Sequence, residues 1–292
     1  SSNLFFAFNG GYEGPLLHEL RIPNTDITWE VATQRNIGFD ALLLNNRLSI
    51  SADYFSNYRS QILWWRNASV PATSGLTLPR ENIGEVSNRG FEGELSFRHR
   101  VGDFHYNVSV NGSYARNKIE FWDETPGVPE YQQSTGKPMN AALFYEAIGI
   151  FYDEGAIDAY PSWAGARPGD IKFKDVNDDG VIDGLDMVRS DKTSLPRFVG
   201  GLNINLQYKQ FDVVMLFQGS LGGQQYLRME SGEVGNYLKD MYDNRWTEEN
   251  TNATHPRAWE RNQPYWSASN TFWLKPSDYL RLKNMEIGYN LP

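Results

Sequence analysis

The chain has 292 residues, of which 40% are hydrophobic and 14% aromatic, with a net charge of −9. Its mean hydropathy is −0.55, and no apolar run reaches the roughly 18 residues of a membrane-spanning helix, which excludes a helical membrane protein. The acidic balance, without a basic cluster, argues against a nucleic-acid partner, and the absence of cysteine removes disulfides, thiolate metal sites and Cys nucleophiles.

A membrane β-barrel survives these exclusions. Its strands need only about 9–11 residues, and only every second one must be apolar, so the average hydropathy looks soluble. Ser1-Ser2-Asn3-Leu4 has neither the charged region nor the cleavage signature of a signal peptide, so in an envelope protein the true start is expected upstream.

Period-2 alternation predicts strands over 29–44, 47–60, 91–100, 104–119, 198–208, 211–219 and 279–291. In the second, Leu48, Ile50, Ala52 and Tyr54 alternate with Ser49, Ser51 and Asp53. In the fourth, Phe104, Tyr106, Val108 and Val110 alternate with His105, Asn107, Ser109 and Asn111. In the fifth, Leu202, Ile204, Leu206 and Tyr208 alternate with Asn203, Asn205, Gln207 and Lys209. One face is apolar and the other uncharged and polar, as lipid outside and water inside require. A soluble antiparallel sandwich alternates as well.

Connection lengths separate the two architectures. Asn45-Asn46, Val101-Gly102-Asp103 and Lys209-Gln210 read as tight hairpins, whereas 61–90, 120–197 and 220–278 are long. Short periplasmic turns alternating with long extracellular loops are the habit of outer-membrane barrels. Segment 139–152 also looks strand-like, but one crossing there would carry the Lys209-Gln210 hairpin to the wrong side. Residues 120–197 are therefore expected to form a single folded external loop, the other option being an even number of crossings. In the last strand, Leu280 and Leu282 have one parity and Met285, Ile287, Tyr289 and Leu291 the other, which predicts a bulge near Lys283-Asn284. The weight of the loops, and a stop at Pro292 directly after a strand, are those expected of one part of a larger barrel.

Within the second long connection, Asp175, Asn177, Asp179, Gly180, Asp183 and Asp186 have the spacing of an EF-hand-type calcium loop. The Val181 carbonyl would complete the oxygen set, and Ile182 would pack beneath it. Asp186 replaces the usual Glu at the last position, which weakens bidentate ligation. The flank Gly169–Lys174 reads as extended, so the expected role is a structural Ca²⁺ site, with Mg²⁺ as the smaller candidate. The competing reading is an acidic turn held by Asx hydrogen bonds.

The external segments also carry Trp64, Trp65, Trp122, Trp163, Trp246, Trp259, Trp266 and Trp273, whose faces could stack on sugars. Any one of them is expected to pack loops together or sit at the membrane interface. None of His18, His99, His105 and His255 lies in a metalloprotease frame, and Glu92 and Glu94 read as lumen-facing polar residues. No catalytic constellation and no organic cofactor are expected.

Five segments, in order, resemble the SusC/RagA family of TonB-linked, TonB-dependent outer-membrane transporters. They are NTDITWE (Asn24–Glu30), NIGEVSNRGFEGEL (Asn82–Leu95), RPGDIKFKDVNDDGVID (Arg167–Asp183), PRFVGGLNINLQYKQFDVVMLFQGSLG (Pro196–Gly222) and DYLRLKNMEIGYNLP (Asp278–Pro292). The resemblance implies an all-β fold, an antiparallel transmembrane barrel of which this is the later part. Family members have about 22 strands and an N-terminal plug, within the range of outer-membrane barrels. It implies import of an oligosaccharide or peptide across the outer membrane of a Gram-negative bacterium, in contact with outer-membrane lipid. The implied partners are a SusD-like surface lipoprotein, acting as a lid, and TonB, engaged through an N-terminal region outside this chain. The rival is a secreted, calcium-stabilised β-sandwich that binds or cleaves polysaccharide. A barrel needs its outward face apolar throughout, whereas a sandwich needs a polar outer face on each sheet.

Overall fold

The computed structural model describes residues 23–66, 79–228, 237–258, 265 and 268–291, and the backbone of two short strands before them. Those strands, β1 (Phe5–Phe8) and β2 (Gly11–Pro15), pair with each other. Four long strands follow: β3 (Val31–Leu43), β4 (Leu48–Trp65), β5 (Arg80–Val101) and β6 (Phe104–Phe121). Next come β7 (Leu143–Tyr145), β8 (Ala147–Ile150), helix α1 (Glu154–Asp158), β9 (Ile171–Phe173) and β10 (Met187–Arg189). The chain then runs through β11 (Phe198–Tyr208), β12 (Phe211–Leu221), β13 (Gln224–Tyr226), helix α2 (Lys239–Asn244), β14 (Leu274–Pro276) and β15 (Tyr279–Tyr289).

The long strands form one seven-stranded antiparallel sheet in the order β15-β12-β11-β6-β5-β4-β3, open at both edges among the described residues. Its hairpins turn where the backbone enters the left-handed region: Asn45 at φ 56° and Asn46 at 63°, Gly102 at 60°, Lys209 at 52°. Positive φ lets a short connection follow the right-handed twist of the strands it joins.

Register turns the alternation into rows. Leu43, Leu48, Phe97, Val108, Ile204, Met215 and Met285 lie side by side across all seven strands. The row one residue away reads Leu42, Ser49, Ser96, Ser109, Asn203, Leu216 and Asn284 on the opposite face. The apolar face is bounded by two largely aromatic rows: Phe104, Tyr208, Phe211 and Tyr289 near the short turns, and Tyr54, Phe91, Tyr114 and Phe198 toward the long loops. At roughly 3.4 Å per residue and a tilt of about 40°, the stretch from Phe104 to Tyr114 spans on the order of 25 Å, the height of a barrel's lipid-facing band. The bulge in β15 falls at Lys283, which has no partner between the Leu216–Asn284 and Phe217–Leu282 pairs. It carries the outward face from Leu282 to Met285 without a break.

The strands beside the first long loop are longer than the alternation indicates. β4 runs to Trp65 and β5 starts at Arg80, well inside the stretch expected as loop 61–90. Register shifts between Arg59 and Ile62, and between Glu85 and Val86, break the period-2 phase there, so the pairing continues after its sequence signature is lost. Asn82 ties the extension down, its amide donating 2.8 Å bonds to the Gln61 and Thr28 carbonyls.

The other two long connections fold together as a cap over the loop end of the wall. β7 pairs with β10, β8 with β9 and β13 with β14, and none of them joins the wall sheet. Segment 139–152 thus stays within the cap. Phe151, Ile171, Phe173, Ile182, Met241, Tyr265 and Trp273 form its buried core, drawn from both loops. Full burial of a side chain such as Phe173 contributes about 1.5–3 kcal/mol. Cross-loop bonds hold the halves in place: Tyr145 N donates to Ser269 O at 3.0 Å, and Trp163 N to the Tyr265 hydroxyl at 2.9 Å.

Candidate functional site

The acidic loop sits on the side of the cap between β9 and β10, and its oxygens are engaged by its own backbone. The Asp175 carboxylate accepts from Asp179 N at 3.3 Å and Gly180 N at 2.9 Å. Asp179 accepts from Val181 N at 2.9 Å and from the Asn177 amide at 2.8 Å. Asp183 caps a short 3-10 turn by accepting from Leu185 N, and Asp186, fully buried, accepts from Val176 N and Asp183 N, both at 2.7 Å. Asp178 at φ 57° and Gly180 at φ 82° supply the reversal. Ile182 is buried in the cap core beneath the loop. Among the described residues, no three His, Asp or Glu side chains converge in a metal-ligating cluster. The loop is bound to its surroundings by the Tyr131 hydroxyl, which donates to Leu185 O at 2.7 Å, and by the Gln132 amide, which donates to Gly184 O at 2.7 Å. Burial, and then the nearby Asp183 and Asp186 charges, push the Tyr145 phenol above its ordinary pKa.

Most of the described tryptophans serve packing. Trp273 is fully buried, Trp163 donates its indole N–H to Ile182 O at 2.5 Å, and Trp246 donates to Tyr152 O at 3.2 Å. Trp65 lies under the Arg80 guanidinium at 4.7 Å. Trp259 and Trp266 lie outside the described residues. Trp64 and Trp122 differ: their rings meet at 4.5 Å beside a cavity of about 450 Å³ between the wall and the start of the cap. The Trp64 indole nitrogen is buried there without a hydrogen-bond partner among the described residues. Arg189 also lines this cavity, its guanidinium donating to the Gln132 and Ala141 carbonyls at 2.7 Å each, with burial pulling its pKa down.

Two of the strongest cap contacts have no sequence signature. Asp170 and Arg257 form an ion pair at 2.7 Å, with the Asp170 side chain 1% exposed, although 87 residues separate them. Tyr265 is 4% exposed, and desolvation raises its phenol from 10.0 to about 12. Only the meeting of the two loops brings these groups together.

On the polar face of the wall, charge is sorted by height. Asp40, Asp53, Glu92 and Glu94 lie in two adjacent rows just below the level of the upper aromatic row, the last three lining a hollow of about 500 Å³. Nearer the short turns, Arg47, Arg98, Arg100 and His105 line another of about 570 Å³. Glu92 and Glu94 thus belong to a broad acidic belt, not to an isolated acid–base pair.

A family model described as TonB dependent receptor-like, beta-barrel, matches residues 1–292. The chain belongs to this family. The TonB-dependent receptor P3 of Formosa agariphila is 31% identical over 287 residues, covering 92% of this chain and 28% of its own length. The TonB-dependent receptor SusC of Bacteroides thetaiotaomicron is 22% identical, covering 91% and 26%. Among solved structures, the RagAB peptide transporter superposes with a TM-score of 0.66 at 24% identity, covering all of this chain and 32% of that one. The RagAB importer in its open-open state gives 0.69 at 22% identity. At these identities the likeness is one of fold. The chain spans under a third of the length of these receptors.

TonB-dependent receptors are outer-membrane β-barrels of Gram-negative bacteria, and transporters instead of enzymes. This settles the medium on each side of the receptor wall: the apolar rows face lipid and the Asn/Ser/Glu rows face the lumen. It also removes the sandwich reading. The receptor has one long sheet among its described residues, with its apolar face unpaired by a second sheet.

Proposed function

We propose that the chain provides wall and external cap for a TonB-dependent importer of an oligosaccharide or peptide, working with a SusD-like lipoprotein on the cell surface. The observation that carries this reading is the co-folding of two long loops into a single aromatic-cored cap on a family-typical wall. A preformed cap offers a surface against which a lid lipoprotein could close. The solved relative of like fold is described as a peptide transporter, and SusC is among the sequence relatives. The test is uptake by a strain lacking the full-length gene. Loss of growth on one oligosaccharide or peptide, restored by the gene and abolished without TonB, supports the proposal. Unchanged uptake of every candidate nutrient refutes it. Co-purification of a surface lipoprotein with the tagged receptor tests the partner separately.

The acidic loop is proposed as a structural Ca²⁺ site using Asp175, Asn177, Asp179, the Val181 carbonyl, Asp183 and Asp186. Each carboxylate oxygen that accepts one N–H keeps a further acceptor site, so backbone capping and cation ligation are compatible. A cation would offset the repulsion of carboxylates crowded into a dozen or so residues. Affinity is expected on the order of 10⁻⁴–10⁻³ M, and high-resolution density should show ligand distances of about 2.3–2.6 Å for Ca²⁺ or about 2.0–2.1 Å for Mg²⁺. An empty loop centre at millimolar calcium, with a stability that calcium does not change, leaves only the Asx-turn reading.

A further inference from the structure

The outward face does not end at its upper aromatic row. One row further toward the loops, register aligns Arg35, Ser56, Arg89 and Arg116 on neighbouring strands. All three arginines are exposed and have the parity of the lipid-facing residues Ile37, Phe91 and Tyr114. Arg116 lies two positions beyond Tyr114, on the order of 5 Å above the apolar band once strand tilt is allowed for. That is the level of the lipid headgroups.

Arg89 and Arg116 are direct cross-strand partners. Like charges directly opposite each other on one face destabilise a sheet unless something neutralises them. Among the described residues none of the three arginines has a side-chain hydrogen bond or an ion pair within bonding distance. The acids of that region are committed elsewhere. Glu120, whose field reaches Arg89, is held by Lys118 at 2.8 Å and by the Ser87 hydroxyl at 2.6 Å. Glu85 takes the Tyr58 hydroxyl, and Asp191, whose field reaches Arg116, takes Lys137 at 2.8 Å. The opposite border of the apolar band has no such row. Its outward residues are Phe104, Tyr208, Phe211 and Tyr289, and the arginines at that level, Arg98 and Arg100, have luminal parity.

We propose that Arg35, Arg89 and Arg116 form a binding surface for the phosphate groups of outer-leaflet glycolipid. The row is continuous with the lipid-facing band, lies on the loop side only, and presents planar guanidinium forks suited to bidentate phosphate recognition. A phosphate between Arg89 and Arg116 converts a repulsive cross-strand pair into a bridged one. The bound lipid would thereby stabilise the rim on which the cap rests.

The experiment uses the full-length receptor in detergent, with thermal unfolding as the readout. Three additives are compared: phosphorylated lipid A, the same lipid with its phosphates removed, and inorganic phosphate at equal phosphate concentration. The expected result is a Tm rise of several degrees with phosphorylated lipid A, a much smaller one with the dephosphorylated lipid, and none with inorganic phosphate. The Arg89→Ala/Arg116→Ala variant should lose most of the phosphate-dependent increment, and Arg89→Lys/Arg116→Lys should keep part of it. Without lipid, Arg116→Ala alone should raise Tm by removing the like-charge pair. Equal increments from both lipids overturn the proposal even if the variants fail to assemble. So does an undiminished increment in the double alanine variant. Efficient cross-linking between copies through Arg116→Cys in native membranes also overturns it, by assigning this face to a second barrel.

Discussion

Asp186 and Tyr265 are two residues at which the cap's stability becomes measurable. Both oxygens of the fully buried Asp186 accept backbone N–H groups, so Asp186→Ala deprives the Val176 and Asp183 donors of their acceptor. Each stranded donor costs about 1–3 kcal/mol. The expected outcome is selective loss of hydrogen-exchange protection in 175–187 of the full-length receptor, with the wall unaffected. This loss is expected with or without calcium. Asp175→Ala removes the bonds to Asp179 N and Gly180 N in either condition, so only a calcium-dependent gain in protection that the parent shows and this variant lacks reports ligation. Tyr265 reports through pH. Its folded-state pKa of about 12 lies above the ordinary 10.0, so the folded cap holds the phenolic proton more tightly than the unfolded chain does. The resulting stabilisation is fully present below pH 10 and is lost as pH rises toward 12. Cap unfolding followed against pH should fall in that alkaline window. Tyr265→Phe, which has no ionisable group, should flatten the fall while weakening the cap at neutral pH through loss of the Trp163 bond. An unchanged alkaline profile in the variant would assign the loss to other groups.

At the scale of the element, the rows make a directional prediction. Val108 stands midway between the two aromatic rows and faces lipid, while Asn107 beside it faces the lumen. Val108→Arg should cost about 2–4 kcal/mol near the bilayer midplane, measured by folding of the full-length barrel into lipid vesicles, whereas Asn107→Arg should cost far less. Equal costs at both positions would mean that the faces are reversed or the register is wrong. This part of the molecule was legible in the sequence because alternation, turn chemistry and burial all agree there. Asn45-Asn46 and Gly102 turn the chain with positive φ, and the alternating residues between them fill one face each. Even the bulge at Lys283 left a trace, the change of parity between Leu282 and Met285. The legible part ends where the phase breaks. The extra residues around Gln61 and the shift at Glu85 hide the true lengths of β4 and β5, because a bulge inserts an unpaired residue without changing composition. The cap was less legible still. Ile182 could be placed beneath its acidic loop from local spacing, but the Asp170–Arg257 pair, the Tyr265 core position and the Trp64–Arg189 cavity depend on contacts between distant segments. No periodicity encodes such contacts.

At the scale of the whole molecule, the seven-stranded wall leaves β3 and β15 without neighbours on their outer sides among the described residues. Each presents a row of unpaired N–H and C=O groups over a stretch of strand that lipid would surround. Hydrocarbon supplies no hydrogen bonds, so an open edge is not viable in a bilayer, and in water it is a template for pairing with other chains. Seven strands are also fewer than the eight or so of the smallest closed outer-membrane barrels. The apolar face compounds the problem, because Ile37, Leu280 and Ile287 on it are 72%, 79% and 69% exposed. Residues 1–292 expressed alone in detergent-free buffer are therefore expected to aggregate or to form mixed oligomers, even though the cap has a buried core of its own. Size-exclusion chromatography with light scattering and a thermal melt check this directly. A monodisperse soluble monomer that melts in one sharp transition would contradict the assignment of the apolar rows to lipid. An insoluble full chain, with a cap that folds once 120–197 and 222–278 are joined without β11 and β12, would locate the instability in the open wall, where the unpaired edges and bare apolar face place it.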